Sequence, residues 1–513
     1  VPGVQLDHAL DGLARHAERI RFYGTRHEQG AAYMADGFAR TTGEVGALMV
    51  VPGPGVLNAG AGLATAYACS SRVLCIAGQI PSWAIGQRLG LLHEVPGQTA
   101  LLRSLTKWSG MARTPGDVPA VVREAMRQVR TGRPRPVAVE IPPDVLEATG
   151  EVEPLAPADD GPSAPDPTAV ERAAEALRRA ERPVIYAGGG VNASGASAEL
   201  AELAEHLQAP VVMSRGGRGA LSDRHPLALS SVAGRKVLSD ADLVLIVGSR
   251  FMTNAGRPVP TDARTTLVGL NADTADLTGP RNLDAAVRCD AGLGLSALRA
   301  LLTGLPDRPS RQTEVDAARA WADEQVAAIE PQYSWLMALR AGIPDDGILV
   351  NELTQVGYLA SVAFPVYQPG RYLAPGHQGT LGYGFPAALG AKVGNPDRPV
   401  VSITGDGGFG WCLAELATAR KYGIGLVTVV FNDSAFGNVR RTQHDQFGGR
   451  IIGSELVNPD FVRLADSFGV RGVLARTPAE LEGVLKEAQP ATEPLLVEVP
   501  VGEMPSPWHL VAG

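Results

Sequence analysis

Short apolar runs rich in β-branched residues alternate along the chain with longer segments whose apolar residues return every three or four positions. That alternation predicts buried strands separated by amphipathic helices. Strands are expected at 46–51, 72–77 and 136–141, at 183–187, 209–213, 242–247 and 265–270, and at 347–350, 399–404, 426–431 and 494–499. A further strand-like stretch lies at 20–23, and helical periodicity runs over 6–20, 197–207, 315–329 and 411–422. The expected class is therefore α/β, with doubly wound parallel sheets. Two segments break the rhythm: 151–167 is aperiodic and rich in Pro, Ala and Asp, and 303–311 carries Gly, Ser and two Pro. They separate three domains, at 1–150, 168–305 and 312–513.

Length agrees, since 513 residues suit roughly three domains of about 150–170 residues. With 45% hydrophobic and 19% charged residues and a net charge of −8, the composition is that of a soluble globular protein. No run reaches transmembrane length and there is no basic patch or acidic tail, so neither a membrane nor nucleic acid is an expected partner. Cys69, Cys75, Cys289 and Cys412 show no metal-ligand spacing. They read as free thiols in a reducing compartment, which points to the cytoplasm.

Candidate chemistry concentrates in Gly405-Asp406-Gly407-Gly408-Phe409 and Phe431-Asn432-Asp433. The first joins an expected strand to an expected helix. Glycines there let backbone N–H groups approach an anion, and a helix N-terminus adds positive potential, which suits phosphate. Asp406 offers a hard oxygen ligand, and the strand at 426–431 delivers Asn432 and Asp433 to the same sheet edge. Such oxygens beside a diphosphate suit octahedral Mg2+. A lone Gly-Asp-Gly is an ordinary turn, but strand, Gly-Asp-Gly, helix, strand and Asn-Asp in this order is specific. It resembles the cofactor signature of thiamine diphosphate enzymes. That signature usually ends in Asn-Asn; Asp433 keeps an oxygen ligand and adds a negative charge, so a metal site of Asp406, Asp433 and the Ala435 carbonyl is still implied.

The resemblance covers essentially the whole chain, with pyrimidine-binding, central and diphosphate-binding domains in the order of the acetolactate synthase and 2-oxoacid decarboxylase group. Alone, Glu28 in His27-Glu28-Gln29 is a first-turn acid that complements a helix dipole. The resemblance implies that it hydrogen-bonds the aminopyrimidine ring and favours the imino tautomer that removes the thiazolium C2 proton. Gly53 and Pro54, otherwise a tight turn, would approach the cofactor ring, followed by Asn58. Thr354 and Gln355, otherwise a helix N-cap, would contact the diphosphate. In Gly376-His377-Gln378-Gly379-Thr380-Leu381-Gly382 the family pattern puts Leu381 as a wedge between the cofactor's two rings, with Thr380 beside it. Gly405, Gly407 and Gly408, and then Phe436, Gly437 and Asn438, would enclose the diphosphate. The family also has helix and strand before its equivalent of Val1-Pro2-Gly3, so about 20 residues, one strand–helix unit, are expected to precede Val1.

Substrate motifs are less decisive. Arg103-Ser104-Leu105-Thr106-Lys107 matches the synthase pattern, whereas His93-Glu94 stands where synthases carry Phe-Gln, and Thr442 where they carry Trp. His93 and His377 are candidate acids or bases because histidine titrates near neutrality; each reads equally as a polar loop residue. In the middle domain, Gly188-Gly189-Gly190 lacks a dinucleotide spacing, and Gly248-Ser249-Arg250-Phe251 resembles a stretch of flavin-binding synthases without the His-Gly segment that precedes it there. Structural glycines are the preferred reading, with FAD the alternative. The resemblance implies decarboxylation of a 2-oxoacid such as pyruvate, with carboligation to a second carbonyl, in a homodimer or homotetramer whose active sites lie between subunits. A non-ligating decarboxylase, acting on benzoylformate or similar, is the alternative. A catalytically silent thiamine-binding homologue is disfavoured by the presence of Glu28, Leu381 and Asp406.

Overall fold

A computed structural model describes residues 1–158, 160–279 and 281–512. The apolar runs form three separate sheets. The first contains β1 (Gly46–Val50), β2 (Val73–Gly78), β3 (Trp108–Met111) and β4 (Val137–Ile141), in the order β1-β2-β4-β3. The second contains β5 (Pro183–Ala187), β6 (Val211–Met213), β7 (Ala228–Leu229), β8 (Leu243–Val247), β9 (Thr266–Asn271) and β10 (Ala285–Arg288), in the order β10-β9-β8-β5-β6-β7. The third contains β11 (Ile348–Asn351), β12 (Tyr372–Leu373), β13 (Val400–Gly405), β14 (Val427–Asn432), β15 (Arg471–Leu474) and β16 (Leu495–Pro500), in the order β12-β11-β13-β14-β16-β15. Every ladder is parallel. Helices cover both faces, so central strands such as β5, β8 and β13 are buried throughout most of their length and read as continuous apolar runs.

Three expectations need correction. The stretch at 20–23 is not a strand: Ile20 and Phe22 are 51% and 39% exposed and no ladder partner lies beside them. Tyr23 instead packs edge-on against Tyr422, with ring centroids 5.1 Å apart. The helix expected over 6–20 is a 3-10 turn at Val4–Leu6 followed by an α-helix at Asp7–Arg15 only. The helix expected over 411–422 is a 3-10 turn at Leu413–Glu415 followed by an α-helix at Leu416–Tyr422 only, with a separate short helix, Asp406–Gly410, before it. The break buries Glu415 while leaving Trp411 exposed.

One helix, Glu28–Thr42, is gripped from two sides, and glycines permit the grip. A Cβ at Gly37 would lie 1.9 Å from the Ala387 carbonyl oxygen, and one at Gly390 1.8 Å from the Met34 carbonyl oxygen. The backbones of Glu28–Thr42 and Gly384–Gly394 therefore touch directly, joining the first sheet's layer to the third's. On the other side, a Cβ at Gly62 in the helix Pro54–Cys69 would meet the Ala32 methyl at 2.4 Å. A buried polar cluster locks the crossing: Tyr383 Oη donates to Asp36 (2.9 Å), and Arg40 donates to Tyr383 Oη and to the Ala374 carbonyl (both 2.8 Å).

Candidate active site

Strands β13 and β14 are neighbours, with Gly405 opposite Phe431, so their carboxyl ends deliver Asp406 and Asp433 to one place. Asp406 opens the five-residue helix Asp406–Gly410 and is buried. Asp433 lies just past the end of β14 and accepts a hydrogen bond from the Ala435 N–H (3.2 Å). Burial raises the pKa of Asp406, and burial together with the Asp406 charge pushes Asp433 up to about 6. Two carboxylates crowded this way are a strained pair that a cation would relieve.

The backbone around the pair is as close-packed as the sequence suggests. A Cβ at Gly437 would lie 2.2 Å from Asp433 Oδ2, one at Gly407 2.5 Å from the Phe436 ring, and one at Gly408 2.1 Å from Glu352 Oε1. Gly405 is different, since its nearest neighbour would be 3.6 Å away. The pair also has a partner that sequence reasoning missed. Asn458 Nδ2 donates both to Asp406 Oδ2 (2.6 Å) and to Asn432 Oδ1 (3.0 Å), while Asn432 donates to Glu498 (2.8 Å). Asn458 sits in a loop with no motif beyond a turn-like Asn-Pro-Asp.

The loop carrying Leu381 arrives between Gly379 (φ 61°) and Gly382 (φ 75°), both in the left-handed region that favours glycine. Glu352, at the end of β11, holds it from below. Its carboxylate accepts from the Gly382 N–H (2.7 Å), the Gly384 N–H (2.9 Å) and the Thr404 hydroxyl (2.9 Å). Burial raises its pKa, an effect these donors oppose. Thr354 is the N-cap of the helix Gln355–Ala363, its hydroxyl oxygen accepting from the Gly357 N–H (2.8 Å). Thr380 pairs with Thr65 through their hydroxyls (2.9 Å), and the Leu381 carbonyl accepts from Gln29 Nε2 (3.2 Å).

That last bond brings Glu28 beside the loop. Glu28 is the first residue of its helix, 9% exposed, and accepts from Asn58 Nδ2 (3.0 Å). The preceding residues are held by buried Glu415, which accepts from the backbone N–H groups of Arg26 (3.0 and 3.1 Å) and His27 (3.0 Å). Pro54 and Asn58 project on the exposed side of the helix Pro54–Cys69, just after Gly53. Gly53 (φ 58°) donates to Gln98 Oε1 (2.7 Å), and a Cβ there would lie 2.3 Å from the His93 carbonyl oxygen. His93 is thus adjacent to this turn, with its Nδ1 3.0 Å from Gln5 Oε1. Gln98 and the buried Glu140 it binds (2.9 Å) are further supports that the sequence did not announce.

His377 lies elsewhere, at the rim of a cavity of about 1500 Å3 whose wall includes Cys69, Asn192, Arg215, Arg250 and Asp276. Burial, then the charges of Arg215 and Arg250, push its pKa down to about 4, leaving it neutral near pH 7. The cavity opens at the carboxyl ends of β5, β8 and β9, beside the point where the strand order reverses. The glycines singled out there are packing devices: Cβ atoms at Gly188 and Gly190 would lie 2.2 and 2.6 Å from the Gly248 backbone. Among the described residues no trio of His, Cys, Asp or Glu is placed to hold a metal. A cation near Asp406 and Asp433 would need other oxygens as well.

Three family models match the chain: "Thiamine pyrophosphate enzyme, N-terminal TPP binding domain" over 1–101, the corresponding central domain over 170–298, and the C-terminal TPP binding domain over 353–499. A probable acetolactate synthase large subunit of Methanocaldococcus jannaschii is 34% identical over 93% of this chain and 84% of its own length. A probable 2-ketoarginine decarboxylase of Pseudomonas aeruginosa is 35% identical over 94% and 86%. Acetolactate synthase isozyme 3 large subunit of Escherichia coli is 32% identical over 90% and 84%. The matched segments fall in all three sheets, and the chain belongs to the thiamine diphosphate-dependent enzymes of the acetolactate synthase and 2-oxoacid decarboxylase family.

Proposed function

We propose that the protein is a thiamine diphosphate- and Mg2+-dependent enzyme that decarboxylates a 2-oxoacid, with pyruvate the first choice, and ligates the remaining fragment to a second carbonyl as acetolactate synthases do. The observation that carries this reading is the Asp406–Asp433 pair, crowded enough to raise both carboxyls and flanked by Gly407, Gly408 and Gly437, which leave no room for side chains. The residues fit the cofactor: Asp406, Asp433 and the Ala435 carbonyl would hold Mg2+, and Gly405, Gly407, Gly408, Thr354, Gln355, Phe436, Gly437 and Asn438 would surround the diphosphate. When bound, thiamine diphosphate supplies the nucleophilic carbon that attacks the 2-oxoacid and retains the electron pair when CO2 leaves. Glu28 would hold a proton at the pyrimidine ring nitrogen, oriented by Asn58. Leu381 and Thr380 would support the cofactor's rings, and Gly53 and Pro54 would lie against them, with His93 available to move a proton near the substrate.

A non-ligating decarboxylase is the second reading, favoured by His93, by Thr442 in place of Trp, and by the relative named as a 2-ketoarginine decarboxylase. His377, neutral and set at the central cavity, fits a hydrogen-bonding role there better than acid catalysis. That cavity, with its Arg215 and Arg250, is also the observation that favours FAD as an additional ligand. Exposed Leu57, Leu92 and Trp411 flank Asn58, His93 and Gly382 and call for a covering surface, which supports a homodimer or homotetramer with active sites at the interface. No helix among the described residues is long and apolar enough to cross a membrane, and the four free cysteines support a cytoplasmic location. The deciding experiment is NMR product analysis after incubation with thiamine diphosphate, Mg2+ and pyruvate, with benzoylformate and 2-ketoarginine in parallel. Acetolactate establishes the carboligase, free aldehyde the decarboxylase, and no CO2 release from any of the three acids overturns both.

A further inference from the structure

Arg441 occupies a buried position between three elements: the helix Gln355–Ala363, the helix Gly437–Gln446 that contains it, and the C-terminal stretch. Its Nη1 donates to Gln355 Oε1 (2.9 Å) and to the Met504 carbonyl (3.0 Å), and its Nη2 donates to Asn438 Oδ1 (2.8 Å). Trp508 Nε1 donates to the same Asn438 oxygen (2.8 Å). All of these acceptors are neutral. The carboxylates of Asp445, Glu503 and Asp433 act on Arg441 only through space, and burial lowers its pKa.

A primary amide can turn over by 180° with almost no change of shape, so an isolated Asn or Gln has no fixed donor face. A guanidinium has only donors. It therefore forces each amide to present its oxygen and to turn its NH2 group away. Neither Gln355 Nε2 nor Asn438 Nδ2 has a hydrogen-bond partner among the described residues. Gln355 Nε2 lies 3.0 Å from where a Cβ on Gly437 would stand, a point only 2.2 Å from Asp433 Oδ2. Both amides also sit in the first turns of their helices, where backbone N–H groups are unpaired.

We propose that Arg441 is a positioning residue for the diphosphate site: it fixes Gln355 and Asn438 as donors toward the anion, with Trp508 securing Asn438. The proposal rests on the reading of the Gly437 turn as the place where the diphosphate binds. Its sign is specific to the forked donor set, because a flipped amide would set N–H against N–H.

The test is calorimetric titration of the apoprotein with thiamine diphosphate in saturating Mg2+, with Tm recorded for each variant. Arg441→Met and Asn438→Ala should each weaken binding about 10-fold, the scale of one lost charge-assisted contact. In an Asn438→Ala/Gln355→Ala background, Arg441→Met should cause no further loss, since Arg441 acts through these two amides. Arg441→Lys keeps the charge but cannot reach both amides, and should weaken binding as Arg441→Met does; KM for the 2-oxoacid at saturating cofactor should stay unchanged in these two Arg441 variants. Wild-type affinity in Arg441→Lys, or a further loss when Arg441→Met is added to the Asn438→Ala/Gln355→Ala background, would overturn the proposal. If Asn438→Ala and Asp406→Ala both leave the affinity unchanged, the diphosphate assignment itself fails. If these two weaken binding and Arg441→Met does not, only the role of Arg441 fails.

Discussion

Asp433 is the residue at which this chain departs from the usual Asn-Asn pair, and its environment has a measurable price. Its pKa, pushed up to about 6, lies above the ordinary carboxylate value, so the folded protein holds this proton more tightly than the unfolded chain does. The stability it contributes is therefore present below about pH 4 and lost as the pH rises through 6. At pH 7 the ionised pair opposes folding. Asp433→Asn should raise the apoprotein's stability at pH 7 by about 1–2 kcal/mol, allowing for partial exposure, and should not do so below pH 4. Mg2+ should still raise Tm in this variant, because the amide oxygen restores the usual Asn-Asn pair, but by less than in the parent protein, where the ion also relieves the repulsion. Differential scanning calorimetry across that range decides it, and an unchanged Tm at pH 7 would count against the repulsion. Glu28→Gln keeps the shape and can still accept from Asn58, so cofactor affinity should stay within a few fold while turnover falls by about 10²–10⁴; near-normal turnover in a steady-state assay would sink the assigned role. At this scale the sequence was most informative where residues are contiguous, as in Gly405–Gly408 or Ser434–Asn438. It was silent on Asn458, Glu352, Gln98 and Arg441, because each acquires its role through a partner brought near only by folding.

Among the elements, the strands that patterning missed share one property. β3, β7, β10, β12 and β15 are all sheet edges, whereas the central strands were all legible. A parallel strand with neighbours on both sides is buried on both faces and must be apolar along its length. An edge strand need not be, as the half-buried β3 and the partly exposed β15 illustrate, and β7 and β12 are only two residues long. Helices were legible in periodicity but not in their breaks: the division of 411–422 follows from burying Glu415 against Arg26 and His27, a tertiary demand with no local signature. The tight crossing of Glu28–Thr42 on Gly384–Gly394 gives a direct test. Gly37→Ala inserts a methyl 1.9 Å from a carbonyl oxygen, so it should cost about 1–3 kcal/mol in urea unfolding and lower activity by displacing Glu28. Gly12→Ala, on an open helix face with nothing within 4 Å, is the control and should be neutral or slightly stabilising.

At the scale of the molecule, the three sheets are bound together by contacts that no sequence pattern indicated. The C-terminal stretch alone is tied to the central sheet's layer, through Arg235 to the His509 and Leu510 carbonyls and Asn254 to the Val511 carbonyl (3.0 Å), and to the last through Gln332 to the Pro505 carbonyl (2.6 Å). Exposed Leu57, Leu92 and Trp411 leave apolar surface around the candidate active site, so specific activity should fall on dilution in step with dissociation seen by analytical ultracentrifugation. A monomer with full activity per chain would refute the subunit arrangement.

The Glu415 clamp on Arg26 reaches across 389 residues. At a synthesis rate of about 5–20 residues per second, that separation amounts to roughly 20–80 s. Throughout that interval the nascent chain carries the helix that begins with Glu28 without its carboxylate cap, and for most of it without the Gly384–Gly394 helix against which it packs. The first domain therefore leaves the ribosome with one face of its key helix bare, and its final shape is sealed from the opposite end of the chain, which makes early shielding by chaperones a foreseeable requirement for producing this protein in quantity.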